Sequence, residues 1–380
     1  MKILLVTTSY PDTNSGEAAA GNFVVDFARS LARLGTPTTV VAPAASDRSG
    51  VECGVDVRRF RVPRLPLSLL KPGRPTEWPV IAKTLAAGSR AVDCAAAQTL
   101  PDHILALWVL PSGWWAMRAA ARRGIAFSTW ALGSDIWTLG RIPLVRSLLA
   151  HVLRRAQARF ADGLQLGRDV ETICGRPCGF LPSSRVLKPL AEKSLRDRPP
   201  YRLAYLGRWH PNKGTDLLLQ ALQDLNDDDW ARIGGVRICG GGQLESLVRA
   251  ESDKLASSGR PVSVGGYLDQ DGARTLIAWA DYVLIPSRIE SVPVVFSDAL
   301  QMNCPGIAMP VGDLPELITT NACGVCANSV DPLSFAAALR QAIQTPPSVY
   351  AAGMAAACRL FDPQRAAATF IDQLTVKQSE

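Results

Sequence analysis

The residues best suited to chemistry lie in one stretch of the last third of the chain, residues 282–300. The stretch begins as a short apolar run with β-branched residues, which predicts a buried strand ending at Pro286. A polar loop, 287–291, follows, and Pro293 is typical of the first turn of a helix that we expect to reach Leu300. A strand, a tight loop and a helix start leave backbone N–H groups unpaired, so the pattern predicts an anion cradle.

Two carboxylates accompany this cradle. Glu290 would stand just outside the predicted helix, and Asp298 about two turns inside it. Carboxylates accept paired hydrogen bonds from neighbouring hydroxyls, so a sugar and a ribose would explain both acids. The other predicted donor contacts in the cradle are Ser291, Val292, Pro293 and Val294.

A second chemical signal is the loop G-R-x4-K-G at residues 207–214, between a predicted strand and helix. Arg208 offers a planar fork and Lys213 a point charge, and two bases on such a loop suit a diphosphate. Gly207 and Gly241 stand at the ends of successive predicted strands. Tyr267 ends a strand and turn whose backbone could hydrogen-bond to the edge of the nucleobase.

The first half begins with a strand, a helix and a strand in Rossmann-like order. Its first loop contains Gly16 and Gly21 but no G-x-G-x-x-G, so a dinucleotide cofactor is not expected. Two interpretations of this loop remain: Gly21 contacts a phosphate, or the loop is an ordinary mobile connection. Asp135 follows a later predicted strand, where open α/β sheets bind ligands, although it could equally cap the next helix.

Strand–helix alternation restarts after a charged, proline-bearing linker at 196–200. We therefore expect an α/β protein with two Rossmann-like doubly wound domains facing each other across a cleft. The predicted boundaries are 1–196 and 197–360. Residues 361–380 would form a C-terminal helix, with packing against the first domain as one option.

The composition is that of an ordinary globular protein of 380 residues, 47% apolar and 20% charged. No apolar run approaches the roughly 20 residues of a membrane span, and the first residues look like a strand rather than a signal peptide. Nine cysteines without such a signal favour a reducing cytoplasm over a disulfide framework.

The charge is uneven along the chain. Residues 1–200 carry +12, from 27 Lys/Arg and 15 Asp/Glu, and residues 201–380 carry −5, from 14 and 19. Segments 58–74 and 141–159 alternate bases with apolar residues, and the second is predicted to be a helix. An anionic membrane surface or a lipid-linked substrate would fit the first segment, as would a strand with a solvated loop. The second is typical of a helix packed on one face and solvated on the other. The signatures of nucleic-acid-binding proteins are missing.

Other polar groups favour structural interpretations. The pairs Cys174/Cys178 and Cys323/Cys326 lack a neighbouring His at zinc-ligand spacing, so we expect buried thiols and no metal. The acidic triplet at 227–229 is predicted to be a solvated turn.

Together these motifs resemble glycosyltransferase family 4, whose fold is called GT-B. The likeness rests on G-R-x4-K-G, the glycine run 240–242 and P-S-x2-E-S-x-P-x4-D-A-L, with weaker support from Gly-Ser-Asp-Ile at 133–136. It implies retaining, metal-independent transfer of a sugar from a UDP- or GDP-sugar bound mostly by the second domain, with the first domain binding the acceptor. It also implies that Arg208 and Lys213 hold the diphosphate, Glu290 the donor sugar and Asp298 the ribose.

The chain departs from the family pattern at three positions. Asp298 replaces the usual Glu and is shorter by one methylene. Leu132 and Leu107 stand where the family often has His, so Asp135 or backbone groups would have to substitute. Retaining transfer can still proceed if the donor phosphate accepts the acceptor's proton.

The sequence therefore predicts a cytoplasmic, membrane-peripheral glycosyltransferase without a cofactor. Its catalytic residues would be Glu290, Arg208, Lys213 and Asp135, and its acceptor a glycan or a lipid-linked intermediate. A sugar-nucleotide isomerase (epimerase) of the same fold and a non-catalytic sugar-nucleotide-binding protein are the alternatives.

Overall fold

The computed structural model describes residues 1–11, 21–52, 54–187 and 193–376. By its internal contacts the chain divides into two compact units, Met1–Arg185 with Pro363–Glu380, and Val186–Asp362. The boundary falls after Arg185, N-terminal to the predicted one at residue 196. Gly16 lies outside the described residues.

The strands and helices alternate through both units. The strands are β1 (Ile3–Val6), β2 (Thr38–Ala44), β3 (Arg48–Glu52), β4 (Val55–Arg61), β5 (His103–Leu107), β6 (Ala126–Ala131), β7 (Ala158–Ala161), β8 (Gly179–Phe180), β9 (Tyr201–Arg208), β10 (Ile233–Gly241), β11 (Val262–Gly265), β12 (Tyr282–Ile285), β13 (Gly306–Ala308) and β14 (Gly324–Cys326). The helices are α1 (Asn22–Arg33), α2 (Trp78–Thr99), α3 (Trp114–Arg123), α4 (Ser134–Trp137), α5 (Pro143–Arg155), α6 (Leu164–Cys174), α7 (Thr215–Gln223), α8 (Asp227–Ala231), α9 (Glu245–Ser257), α10 (Gln270–Trp279), α11 (Val294–Gln301), α12 (Leu314–Asn321), α13 (Pro332–Gln344), α14 (Ala351–Cys358) and α15 (Pro363–Val376).

The first unit is built on a sheet whose described strands follow the order β3-β4-β2-β1-β5-β6-β7-β8. All pairs are parallel except β3 with β4. The strand order reverses between β1 and β5, which is the topological switch point of a doubly wound sheet. The predicted Rossmann-like beginning of the chain is confirmed.

The two faces of this sheet have separate apolar cores, because its parallel strands are buried on both sides. One core lies under α2, α3, α5 and α6, and the other under α1. The last helix, α15, completes the second core. Its Phe370 is fully buried and meets the rings of Phe27 and Phe160 edge-on.

The second unit has a wholly parallel sheet whose described strands follow the order β11-β10-β9-β12-β13-β14. Its strand order is that of the dinucleotide-binding Rossmann fold, with the switch point between β9 and β12. The loops that leave these two strands carry the basic motif and Glu290, so the topology brings both motifs to the carboxyl edge of the sheet.

Two local predictions were wrong. The helix predicted over 141–159 ends at Arg155, and Arg159 instead lies buried in β7, where its guanidinium donates to the carbonyls of Leu153, Ala156 and Pro177. The acidic triplet is the first turn of α8 rather than a solvated turn, and Asp229 is buried and bonded to Arg340.

The basic stretch 58–74 begins as β4 and continues as a loop, and some of its bases are neutralised. Arg59 is buried against Glu52, and Arg64 pairs with Glu77, whereas Lys71 and Arg74 are exposed. Among the described residues, none of the helices combines the length and the apolar character needed to span a bilayer.

Candidate functional site

The basic loop follows β9 directly. Arg208 is the last residue of the strand and is exposed, and residues 211–213 form a single 3-10 turn before α7. His210 stabilises the turn, because its Nδ1 accepts a hydrogen bond from the Asn212 amide at 3.1 Å. The pKa of His210 is lowered, by burial first and then by the charges of Arg208 and Lys213.

The two motifs that the sequence singled out meet in space. Lys213 Nζ contacts Glu290 Oε1 across 77 positions of sequence. Glu290 Oε1 also accepts from Ser287 Oγ at 3.0 Å. The Glu290 side chain is 12% exposed and that of Lys213 is 29% exposed, so the pair lies partly shielded from solvent.

An ion pair that sequence reasoning missed ties these loops together. Arg288 donates through both terminal nitrogens to the carboxylate of Asp216, at 2.8 and 2.6 Å. Its Nη1 also donates to the Pro211 carbonyl at 2.6 Å, and its amide to the Asn212 carbonyl at 2.8 Å. Burial acts to raise the pKa of Asp216, but the hydrogen bonds and charge of Arg288, together with backbone amide bonds, lower that pKa overall.

Two glycines allow the loops to come this close. Gly214 has φ of +66°, and a Cβ there would lie against the carbonyl group of Pro286, 2.8 Å from its carbon. Gly312, with φ of +55°, lies in the same way against the carbonyls of Glu290 and Ser291. Both positions favour glycine for conformation and for space. The sequence indicated Gly214 as a motif residue and gave no signal for Gly312.

The start of α11 has the geometry of the predicted cradle. The helix begins at Val294, one residue after Pro293, and the Phe296 amide donates to the Pro293 carbonyl at 2.8 Å. The first amides of a helix have no acceptor one full turn back and can face an anion. Val292 and Ser291 are buried, and the Ser291 hydroxyl has no hydrogen-bond partner among the described residues. Asp298 lies in the second turn with 1% of its surface exposed, which makes it less accessible than Glu290.

The remaining predicted donor contacts of the second unit lie along the same sheet edge. Tyr267 is 64% exposed, and its hydroxyl donates to the Gly241 carbonyl at 2.7 Å. Gly207 is paired with Gly240 on the neighbouring strand. Tyr205, below Gly207, bonds to the Arg208 carbonyl and to Thr215 Oγ1, and so connects the end of β9 with the start of α7.

Gly21 and Asp135 belong to the first unit. Gly21 immediately precedes α1 with φ of +87°. Asp135 is 1% exposed, and its two oxygens accept hydrogen bonds from the amides of Val109 at 2.7 Å and Leu132 at 3.2 Å. Burial raises its pKa to about 6, against the lowering effect of these bonds. The carboxylate therefore joins the loops after β5 and β6 in this structure, and a catalytic role for it stays a prediction.

The cysteine pairs are free thiols, with Cys174 and Cys323 buried and Cys178 and Cys326 half-buried. Within the described ranges, no group of three or more His, Cys, Asp or Glu side chains is arranged to hold a metal ion.

Residues 200–345 match the family model described as Glycosyl transferases group 1. The D-inositol 3-phosphate glycosyltransferase of Corynebacterium diphtheriae is 29% identical over 157 residues, 40% of this chain and 37% of that protein. The chain thus spans well under half the length of this relative. The GDP-mannose-dependent alpha-(1-6)-phosphatidylinositol monomannoside mannosyltransferase of Mycobacterium tuberculosis is 26% identical over 371 residues, 89% of this chain and 88% of that protein.

Solved structures agree over nearly the whole chain. Sucrose-phosphate synthase from Thermosynechococcus elongatus has a TM-score of 0.76 at 17% identity, covering 99% of this chain and 98% of that one. Anabaena HepE in complex with UDP-glucose has a TM-score of 0.71 at 15% identity, covering 99% and 100%. The chain therefore has the GT-B fold of two Rossmann-like domains, and its second unit contains the region that matches the group 1 glycosyl transferases.

Proposed function

We propose that this chain is a retaining, metal-independent glycosyltransferase of family 4. It would transfer a sugar from a UDP- or GDP-sugar to a glycan or lipid-linked acceptor in the synthesis of a cell-surface polysaccharide or glycolipid. The observation that carries the proposal is the contact between Lys213 and Glu290, next to Arg208, at the carboxyl edge of the second sheet. Ligands of open α/β sheets bind at this edge, beside the switch point.

The chemistry of these side chains fits transfer from a nucleotide sugar. As the bond between sugar and diphosphate breaks, negative charge grows on the leaving phosphate. Arg208 and Lys213 would stabilise that charge, which is commonly the largest electrostatic contribution to such a reaction. Glu290 would accept hydrogen bonds from hydroxyls of the donor sugar, and the amides at the start of α11 would add dipoles of the right sign.

Two of the similar proteins bear on the donor. The mycobacterial relative is GDP-mannose-dependent, and the Anabaena structure holds UDP-glucose. We extend a nucleotide-sugar donor to this chain on that basis and leave uridine and guanosine as the two bases to test. Tyr267 and Gly241 would lie near the nucleotide, and Asp298 near its ribose.

The basic first unit is proposed to present the acceptor at the cytoplasmic face of the membrane. Leu69, Trp78 and Leu144 are 53%, 60% and 85% exposed. Exposed Arg74 and Arg146 are near neighbours of these side chains in sequence. Apolar side chains flanked by bases are typical of surfaces that bind anionic lipid headgroups.

The proposal is tested by ligand binding and then by turnover. A thermal-shift series with UDP, GDP, ADP and their sugars should give one nucleotide that raises the melting temperature. A ligand at a hundred times its dissociation constant adds about 2.7 kcal/mol to the free energy of unfolding.

With the matching donor, Glu290→Ala and Lys213→Ala should lower turnover by about two orders of magnitude or more and leave the circular dichroism spectrum unchanged. Full activity in either variant would contradict the proposed site. Conversion of the nucleotide sugar without any acceptor would favour an isomerase instead.

A further inference from the structure

Glu290 lies in an irregular loop and Lys213 in a single 3-10 turn, so neither side chain is placed by a long helix or by a strand ladder. Residues 287–291 follow β12, and residues 209–214 follow β9. The parallel pairing of β9 with β12 ends before either loop begins. Something beyond the sheet must therefore fix the distance between the two proposed catalytic side chains.

Arg288 provides that connection at three separate points. Its guanidinium holds the Asp216 carboxylate in a fork, its Nη1 also reaches the Pro211 carbonyl, and its amide reaches the Asn212 carbonyl. These partners lie before and after Lys213, so Arg288 spans the whole 3-10 turn. Arg288 is also only two residues from Glu290, so fixing the Arg288 guanidinium restricts where the Glu290 carboxylate can lie.

The surroundings of Arg288 argue against its being a third phosphate ligand beside Arg208 and Lys213. Its charge is already matched by Asp216, which lies in the first turn of α7, where an acid is favoured by the helix dipole. The two side chains are 33% and 22% exposed, so the pair is half-buried rather than fully solvated. A planar fork bound to a carboxylate and a carbonyl fixes direction as well as distance, which a lysine at the same place would not do.

We propose that Arg288, held by Asp216, is a positioning residue that sets the separation of Glu290 and Lys213. The inference rests on the proposed function, since it acts through the two side chains assigned there. Misplacing a reacting group by about 1 Å lowers a rate on the order of a hundredfold. Arg288→Gln and Asp216→Asn should therefore each lower kcat for the matching nucleotide sugar by about 10- to 100-fold. The kcat of Arg288→Lys should lie between those of Arg288→Gln and the native chain, because lysine keeps the charge and lacks the planar guanidinium.

Arg340 offers a matched control in the same unit. It makes a similar multiple contact from α13, with Asp224 at the end of α7 and Asp229 in α8. Arg340→Gln should lower the unfolding midpoint about as much as Arg288→Gln and leave kcat unchanged. Equal losses of kcat in the two variants would mean that Arg288 acts through stability alone, and would overturn the proposal.

A double variant decides whether Arg288 acts through Glu290. In a Glu290→Gln background, Arg288→Gln should lower kcat by less than about threefold, because the positioned group is already gone. A further loss of kcat in that background as large as the loss in the single variant would overturn the inference.

A crystal structure of Arg288→Gln supplies a readout that needs no ligand. Lys213 and Glu290 should be separated beyond the reach of a salt bridge, and an unchanged contact would also overturn the inference. If the native chain binds neither UDP nor GDP, the proposed function fails, and the crystal structure still decides what Arg288 positions.

Discussion

Gly214→Ala is the substitution that most directly tests how the two loops form one site. The native residue has φ of +66°, and the added Cβ would be placed against the carbonyl group of Pro286. A left-handed conformation costs an alanine about 1–2 kcal/mol. The contact with Pro286 adds to that cost, because a backbone carbonyl cannot turn aside as a flexible side chain would.

The loops must therefore move apart by on the order of 1 Å, which is enough to separate Lys213 from Glu290 and to lower turnover about a hundredfold. Gly259→Ala is the matched control. Gly259 has φ of +83° and nothing within 4 Å of the added Cβ. Gly259→Ala should show the conformational cost without the steric clash. Its free energy of unfolding should fall by about 1–2 kcal/mol, and its activity should be kept.

The measurements are urea unfolding and steady-state turnover with the matching nucleotide sugar. We expect Gly214→Ala to lose more stability than Gly259→Ala and to lose turnover even where it is fully folded. Turnover within a fewfold of native in folded Gly214→Ala would show that the site does not depend on the close approach of the two loops.

Two further predictions concern the first unit. Burial lowers the pKa of His103 from 6.5 to about 4. The unfolded chain therefore binds the extra proton, and stability is lost as pH falls from about 6.5 to 4, by about 2 kcal/mol at pH 5. His103→Gln, which can keep the bond to Ser128, should lose less on going from pH 7 to 5 in urea unfolding, and an equal loss would exclude His103 as the source. Burial raises the pKa of Asp135 to about 6, so its contribution has the opposite sign, with stability rising as pH falls through 6 towards 4. Asp135→Asn presents a donor where the Val109 and Leu132 amides need acceptors and should cost about 1–3 kcal/mol at pH 7. Turnover lost without a loss of stability would instead indicate a chemical role.

The sequence predicted most of what local patterns determine. Apolar runs and glycine-bounded loops identified β9 and β12, and Pro293 marked the beginning of α11 within one residue. The fold followed from strand–helix alternation, because parallel strands joined by helices have few stable arrangements. The meeting of Lys213 with Glu290 follows from the same topology, since adjacent parallel strands end at one edge.

What the sequence could not reveal depends on contacts between distant segments. Arg288 was one base in a polar loop, and Asp216 one acid at a helix start, until the fold brought them together. Gly312 gave no signal because its neighbours are the carbonyls of another loop. Arg159 was assigned to a helix because the apolar residues that precede it have helical spacing, whereas its carbonyl partners surround the guanidinium only in the folded protein.

The return of α15 to the first unit has a consequence for how the chain folds during synthesis. Phe370 packs between Phe27 and Phe160. One side of the second core of the first unit therefore stays exposed until residues 363–376 have left the ribosome. Domains usually fold in the order in which they are made. Here the second unit is synthesised in between, and the half made first is the last to close its core.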